Sequence, residues 1–187
     1  MPRGENSFNA VLCYVDDGFF TRLDDGEGGH PTTRDMDDIA VGRFPVISAD
    51  EAKVMVDKTI HYAENSNAGA WQNEIMLMGD DGNNNLHMHD ENETADYIAT
   101  LHPEYVMKKV MWDAYTEQTS ATGNSYPEAT AIIKRQQQAG ALIMDYAGHG
   151  SATLISHEGV LKLADFQTFS NTRLPLWITA DSAAKLR

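Results

Sequence analysis

Short apolar runs recur along this chain, separated by polar stretches and by segments of helical period. Residues 10–15, 39–46, 75–78, 106–112, 141–146 and 174–180 read as strands. Ser48-Ala49-Asp50-Glu51 fits a capping box, and Ala52, Met55, Val56, Thr59, Ile60 and Ala63 follow at steps of three and four, one apolar stripe on a helix that stops at Asn65-Ser66-Asn67. A second helix is predicted from Glu91 to Leu101, ending before Pro103, a third from Pro127 to Gly140, and a short fourth over 160–169. Gly79–Asn85 and 116–125 read as turn-rich loops, and 16–38 as a long Asp- and Gly-rich one. Strands alternating with helices predict an α/β fold with a mostly parallel sheet flanked by helices. In such sheets sites lie at the carboxyl ends of strands, which directs attention to the loops 16–38, 79–90 and 147–151.

Composition narrows this picture. The chain has 187 residues, 42% of them hydrophobic, enough for one α/β domain or a part of something larger. Its net charge of −14 argues against a nucleic-acid partner and is read mainly as a solvated acidic surface. No apolar stretch approaches the roughly 20 residues of a membrane span, and Met1-Pro2-Arg3-Gly4 does not open a signal peptide. The single cysteine, Cys13, lies in an apolar run and reads as a small buried hydrophobe. Met55, Met76 and Met78 read as core, and Trp71, Trp112 and Trp177 as packing residues.

The candidate chemistry centres on Tyr146-Ala147-Gly148-His149-Gly150-Ser151, at the end of a strand. Glycine on either side lets the backbone approach a substrate, and an imidazole is suited to general acid–base chemistry. His87-Met88-His89-Asp90 has two readings: a metal site, if the segment is extended and both imidazoles share a face, or a polar loop after a strand, which is preferred because no third ligand has compelling spacing. Asp16, Asp17, Asp24, Asp25 and Glu27 offer oxygen ligands for calcium, without the spacing of an EF-hand; the alternative is a solvated turn.

Tyr146–Ser151 resembles the histidine motif of the gingipain family of cysteine peptidases, which belongs with the caspase-like peptidases. The resemblance extends over Asp38–Val46 and Lys58–Tyr62. Tyr14–Phe20, Leu23–Gly28, Met78–Gly82, Asp113–Tyr115 and Ser125–Pro127 are most similar to one branch, the sortase-like peptidases of type IX secretion. The resemblance implies a caspase-like three-layer sandwich, with 1–38 closing a preceding subdomain and 39–180 forming a partial catalytic one. It implies that His149 assists a cysteine thiolate and that the Gly150 N–H donates to the oxyanion. It also implies that Asp90 or Glu91 helps line the pocket for the substrate residue before the cut, and that calcium is structural, with no cofactor needed for catalysis. The expected partners are the secretion-signal region of a polypeptide cargo and other type IX components, at the bacterial cell surface. The family's cysteine follows the strand corresponding to Leu174–Ala180, and here Ser182 stands in its place. The resemblance stops there, so 181–187 read as a non-native tail and the chain as an inactive piece of a longer enzyme. Two other functions remain open: a pseudo-peptidase that grips peptides without cutting them, and a calcium-stabilised surface domain.

Overall fold

The computed structural model describes residues 17–25, 27, 36–121, 123–151 and 153–181. Cys13, the strand expected over 10–15, Asp16 and Ser182 lie outside the described residues. The chain divides into two compact units, Met1–Val56 and Asp57–Arg187.

In the first unit a single 3-10 turn, Gly18–Thr21, is tied down by side chains. The Thr21 hydroxyl donates to Asp37 at 2.7 Å, and the Leu23 N–H donates to Asp38 at 2.7 Å. Arg43 pairs with Asp17, and the guanidinium's hydrogen bonds hold that carboxyl below its ordinary pKa. The strand expected at 39–46 is not formed: these residues are irregular and mostly exposed, so no neighbour rewards their apolar content. Helix α1, Ala49–Glu64, runs from this unit into the next. Ser48 Oγ accepts from the Glu51 N–H at 3.2 Å, while Glu51 reaches back to the N–H of Ile47 instead of Ser48, at 2.9 Å. None of its residues is buried, and Met55, expected in the core, is only partly covered.

The second unit is built on a parallel sheet. Its strands are β1 (Glu74–Gly79), β2 (Val106–Met111), β5 (Ile143–Gly148) and β9 (Leu176–Asp181), in the order β2-β1-β5-β9. Between β2 and β5 lies a small hairpin, β3 (Gln118–Ser120) with β4 (Gly123–Ser125), where a plain loop was expected. After β5 comes an antiparallel ribbon of β6 (Gly150–Ser151), β7 (Leu154–Ile155) and β8 (Leu161–Lys162).

Helix α2, Gly82–Leu101, connects β1 to β2, and α3, Pro127–Ala139, connects β2's end to β5. α4, Leu163–Phe166, is a single turn before β9. Period-two alternation sorts the faces of the sheet. Ile75 and Leu77 pack with Ala95 of α2 and Ile98, while Met76, Met78, Met144 and Tyr146 pack with Ala129 and Ile133 of α3. Both faces are covered, which is why β1 carries an unbroken apolar run. A polar clamp fastens α3 beside the sheet: Lys108 donates to Glu74 and Gln136, each at 2.6 Å, and Gln136 donates to Glu74 at 2.6 Å.

α2 begins earlier than its apolar period suggests. Its first turn holds Asn83, Asn84 and Asn85 at φ 51°, 57° and 64°. Asparagine is among the few side chains that tolerate this left-handed region, so the asparagine run is a sharp entry into the helix instead of an open loop.

Candidate active site

The site lies at the carboxyl ends of β1 and β5, where neighbouring parallel strands deliver Asp80 and His149. β1 pairs with β5 through Gly79 and Ala147, so the residues that follow the two strands leave the sheet side by side. The Asp80 N–H donates to the Ala147 carbonyl at 3.3 Å, extending that pairing.

His149 is held at three points. Its Nδ1 lies 3.0 Å from Asp80 Oδ2, and its backbone N–H donates to the same oxygen at 2.6 Å. Its carbonyl accepts from the Tyr146 hydroxyl at 2.6 Å and from the Ser156 N–H at 2.7 Å. Asp80 is itself fixed: it is buried, and its Oδ1 accepts from the Gly82 N–H at 3.1 Å. A carboxylate oxygen that accepts from both the backbone and the ring of one histidine sets the imidazole's tautomer and orientation. Nδ1 is occupied as donor, and Nε2 is left as the basic nitrogen.

Two glycines make this packing feasible. A Cβ on Gly148 would stand 2.7 Å from the Asp80 carboxyl carbon and press on the Tyr146 hydroxyl; one on Gly82 would meet His149 Nδ1 at 2.5 Å. Behind them, Trp112 is fully buried, stacks on Tyr146 with centroids 6.0 Å apart, and donates from Nε1 to Ser156 Oγ at 3.1 Å. The Tyr126 hydroxyl donates to Asp81 at 2.8 Å; burial and that carboxylate together push its pKa well above the ordinary value.

Two more imidazoles flank His149. His157 stacks on it with centroids 4.9 Å apart and an interplanar angle of 24°. His87 approaches edge-on at 5.2 Å, and its Nε2 lies 3.9 Å from Asp80 Oδ1.

The other residues singled out in the sequence fall as follows. Gly150 is buried in β6, directly after His149. The His87–Asp90 segment is helical, so its two histidines diverge. His87 turns toward Asp80, whereas His89 is exposed and pairs with Asp90 at 3.8 Å and Glu93 at 3.5 Å. Asp90 is exposed on α2, whereas Glu91 is buried near Asp145 of β5; burial, then the charges of Asp145 and Asp90, push the Glu91 carboxyl up to about 8. Asp17 is engaged by Arg43, and Asp24 and Asp25 are exposed. Among the described residues the acidic loop does not gather three carboxylates at one point; Asp80, His87 and His149 form the group with metal-ligating geometry.

Asp80 was missed as the histidine's partner. The signal was present, since an acid directly following the apolar run Ile75–Met78 leaves the sheet next to whatever follows the neighbouring strand.

Residues 3–181 match Peptidase family C25. The chain belongs to that family. Its members are cysteine peptidases of the gingipain kind. Two solved structures carry the same fold: the Arg-specific cysteine proteinase gingipain R, at 17% identity and TM-score 0.58, and the complex of the pro- and mature domains of RgpB from Porphyromonas gingivalis, at 19% identity and TM-score 0.54. The first match covers 88% of this chain and 35% of that one; the second covers 78% and 33%. The chain thus spans about a third of the length of these C25 structures. No curated protein sequence matches it. No helix among the described residues is long and apolar enough to cross a membrane.

Proposed function

We propose that this chain carries the histidine half of the catalytic centre of a C25 cysteine endopeptidase, of the PorU type that trims C-terminal secretion signals from type IX cargo at the bacterial surface. The observation that carries the peptidase reading is the Asp80–His149 pair at the mouth of a parallel sheet: a buried carboxylate on Nδ1 leaves Nε2 as a base. The register of the sheet supports a nucleophile beside it. β9 pairs with β5 up to Gly148 and Asp181, and the family resemblance implies the nucleophile at position 182, next in sequence.

With a cysteine at that position, His149 Nε2 takes the thiol proton and the thiolate attacks the scissile carbonyl carbon. The carbonyl oxygen becomes an oxyanion, to which the Gly150 N–H donates. His149 then returns the proton to the leaving amine as the C–N bond breaks, leaving a thioester. Water, or an acceptor amine in a sortase, releases the acyl group. Asp80 holds the imidazole through both proton transfers. With Ser182 at the nucleophile position this polypeptide lacks the thiol, and it is proposed to be inactive as it stands.

The PorU-type assignment rests on the motifs Tyr14–Phe20, Leu23–Gly28, Met78–Gly82, Asp113–Tyr115 and Ser125–Pro127. The test uses the complete protein with its cysteine. His149→Ala should abolish cleavage of a cargo C-terminal segment with the circular dichroism spectrum unchanged. Turnover within a few-fold of the parent would remove His149 from catalysis. Equal cleavage of cargo with and without its C-terminal signal would remove the sortase assignment.

A further inference from the structure

The group Asp80, His87 and His149 has more ligating capacity than a peptidase base requires. One ligand atom of each lies within 4.8 Å of those of the other two. His149 Nδ1 is 3.0 Å from Asp80 Oδ2, and His87 Nε2 is 3.9 Å from Asp80 Oδ1. In a tetrahedral zinc site with bonds of about 2.0–2.1 Å, neighbouring ligand atoms stand ~3.3 Å apart, so closing this group onto one ion takes side-chain movements of about an ångström. The approach is open, since the His87 and His149 side chains are 19% and 21% exposed. Asp80 is buried and already oriented by the Gly82 N–H.

We infer that Asp80, His87 and His149 form an inhibitory binding site for a divalent transition cation of the zinc class. Two imidazole nitrogens and one carboxylate oxygen make a borderline donor set, which suits zinc and its neighbours and not calcium or magnesium, whose preferred ligands are all oxygens. A fourth position is left for water.

The consequence for His149 follows from its two nitrogens. A cation on Nδ1 takes the lone pair of the nitrogen that otherwise carries the proton shared with Asp80. A neutral imidazole keeps one proton, which then resides on Nε2, reaching it through solvent with no net proton released. Nε2–H cannot accept a proton from a thiol. Metal and the active tautomer therefore exclude one another at one ring, and the ion also draws Asp80 off its positioning role. His87 is what makes the difference, because Asp80 and His149 alone supply two ligands. To bind, His87 gives up a 3.2 Å contact between its Nε2 and the Asn83 amide.

The inhibition follows from the proposed peptidase function, but binding does not, and the test separates the two. In the complete protein, Co²⁺ should give d–d absorption bands of a low-coordinate site, and Zn²⁺ titrated against a chromophoric chelator should bind at one equivalent. His87→Ala should weaken zinc by at least about tenfold, as expected for loss of one ligand in three. His89→Ala, two positions along the same helix, should leave the affinity unchanged. Zinc should also protect His87 and His149, but not His89, from modification by diethyl pyrocarbonate, a readout that needs no variant. Zinc bound equally tightly by the His87→Ala protein, or His87 left unprotected, overturns the inference. In a peptide-cleavage assay zinc should inhibit the parent at concentrations matching its measured affinity, and half-inhibition of His87→Ala should need at least about tenfold more. Cleavage that persists with the site saturated overturns the inhibitory role. Zinc bound as expected by a protein that cleaves no peptide overturns the peptidase reading and leaves the metal site standing.

Discussion

His149 shows how far a residue's role depends on its partner. Its flanking glycines were visible in the sequence and marked it for chemistry. The carboxylate that gives it a defined tautomer lies 69 positions away, and nothing in local spacing connects the two. The same holds for His87, which the sequence pairs with His89. That pairing assumed an extended backbone, and the left-handed asparagines instead start a helix there, sending the two imidazoles to different surroundings. Gly148 and Gly82 were legible as turn residues, but the reason they must be glycine, the closeness of Asp80, Tyr146 and His149, is a matter of tertiary contact. A residue-scale prediction follows for Asp80. Asp80→Asn preserves volume but offers an amide N–H toward Nδ1 and so favours the wrong tautomer. In the complete enzyme kcat should fall by ~10²–10⁴-fold with KM within a few-fold. A kcat near that of the parent would reduce Asp80 to a loop anchor.

Among the elements, long periodic segments were the legible ones. α3 and the strands β1, β2 and β5 stand close to where their apolar patterns put them, because those patterns follow from faces that are covered; α1 and β9 also form where their patterns put them, although α1 buries none of its residues. What failed was short or depended on unusual backbone: the hairpin of β3 and β4, the first turns of α2, and the absent strand at 39–46. α2 also carries a cost hidden from a sequence reading, since Glu91 turns inward to the sheet near Asp145, whose own carboxyl burial pushes up. With a folded-state pKa of about 8 against an ordinary 4.5, Glu91 keeps its proton in the fold while the unfolded chain loses it first. Stability from this group therefore falls as pH rises from 4.5 toward 8 and levels off above. Glu91→Gln should remove that slope and stabilise the protein at pH 8 by about 1–2 kcal/mol. Denaturant unfolding of both proteins across this range checks it; parallel pH profiles would mean that Glu91 ionises freely.

At the scale of the molecule, the family and the α/β class were legible because the sequence motifs and the alternation of elements agree. The division at Val56 and Asp57 was not, since a continuous helix passes through it. The two units differ in kind. The second has a packed core of Met76, Met78, Trp112, Ile133, Met144 and Tyr146, while in the first the buried residue among those described is Thr21. Native-state hydrogen exchange should reflect this: amides of β1 and β5 should exchange slowest, near the global unfolding limit, and those of 36–47 within the earliest time points. Comparable protection in both would overturn this contrast between the units.

The placement of Asp80 and His149 on adjacent parallel strands has a thermodynamic corollary. The two groups are 69 positions apart, and β1 and β5 meet only after the chain has crossed over twice, through α2 and through α3. No unfolded chain holds them together. Any ligand that bridges them binds the native state alone and acts as a clasp on the β1–β5 seam. By mass action it should raise the melting temperature of the whole second unit with its concentration, so calorimetry can register occupancy of this site without a substrate being turned over.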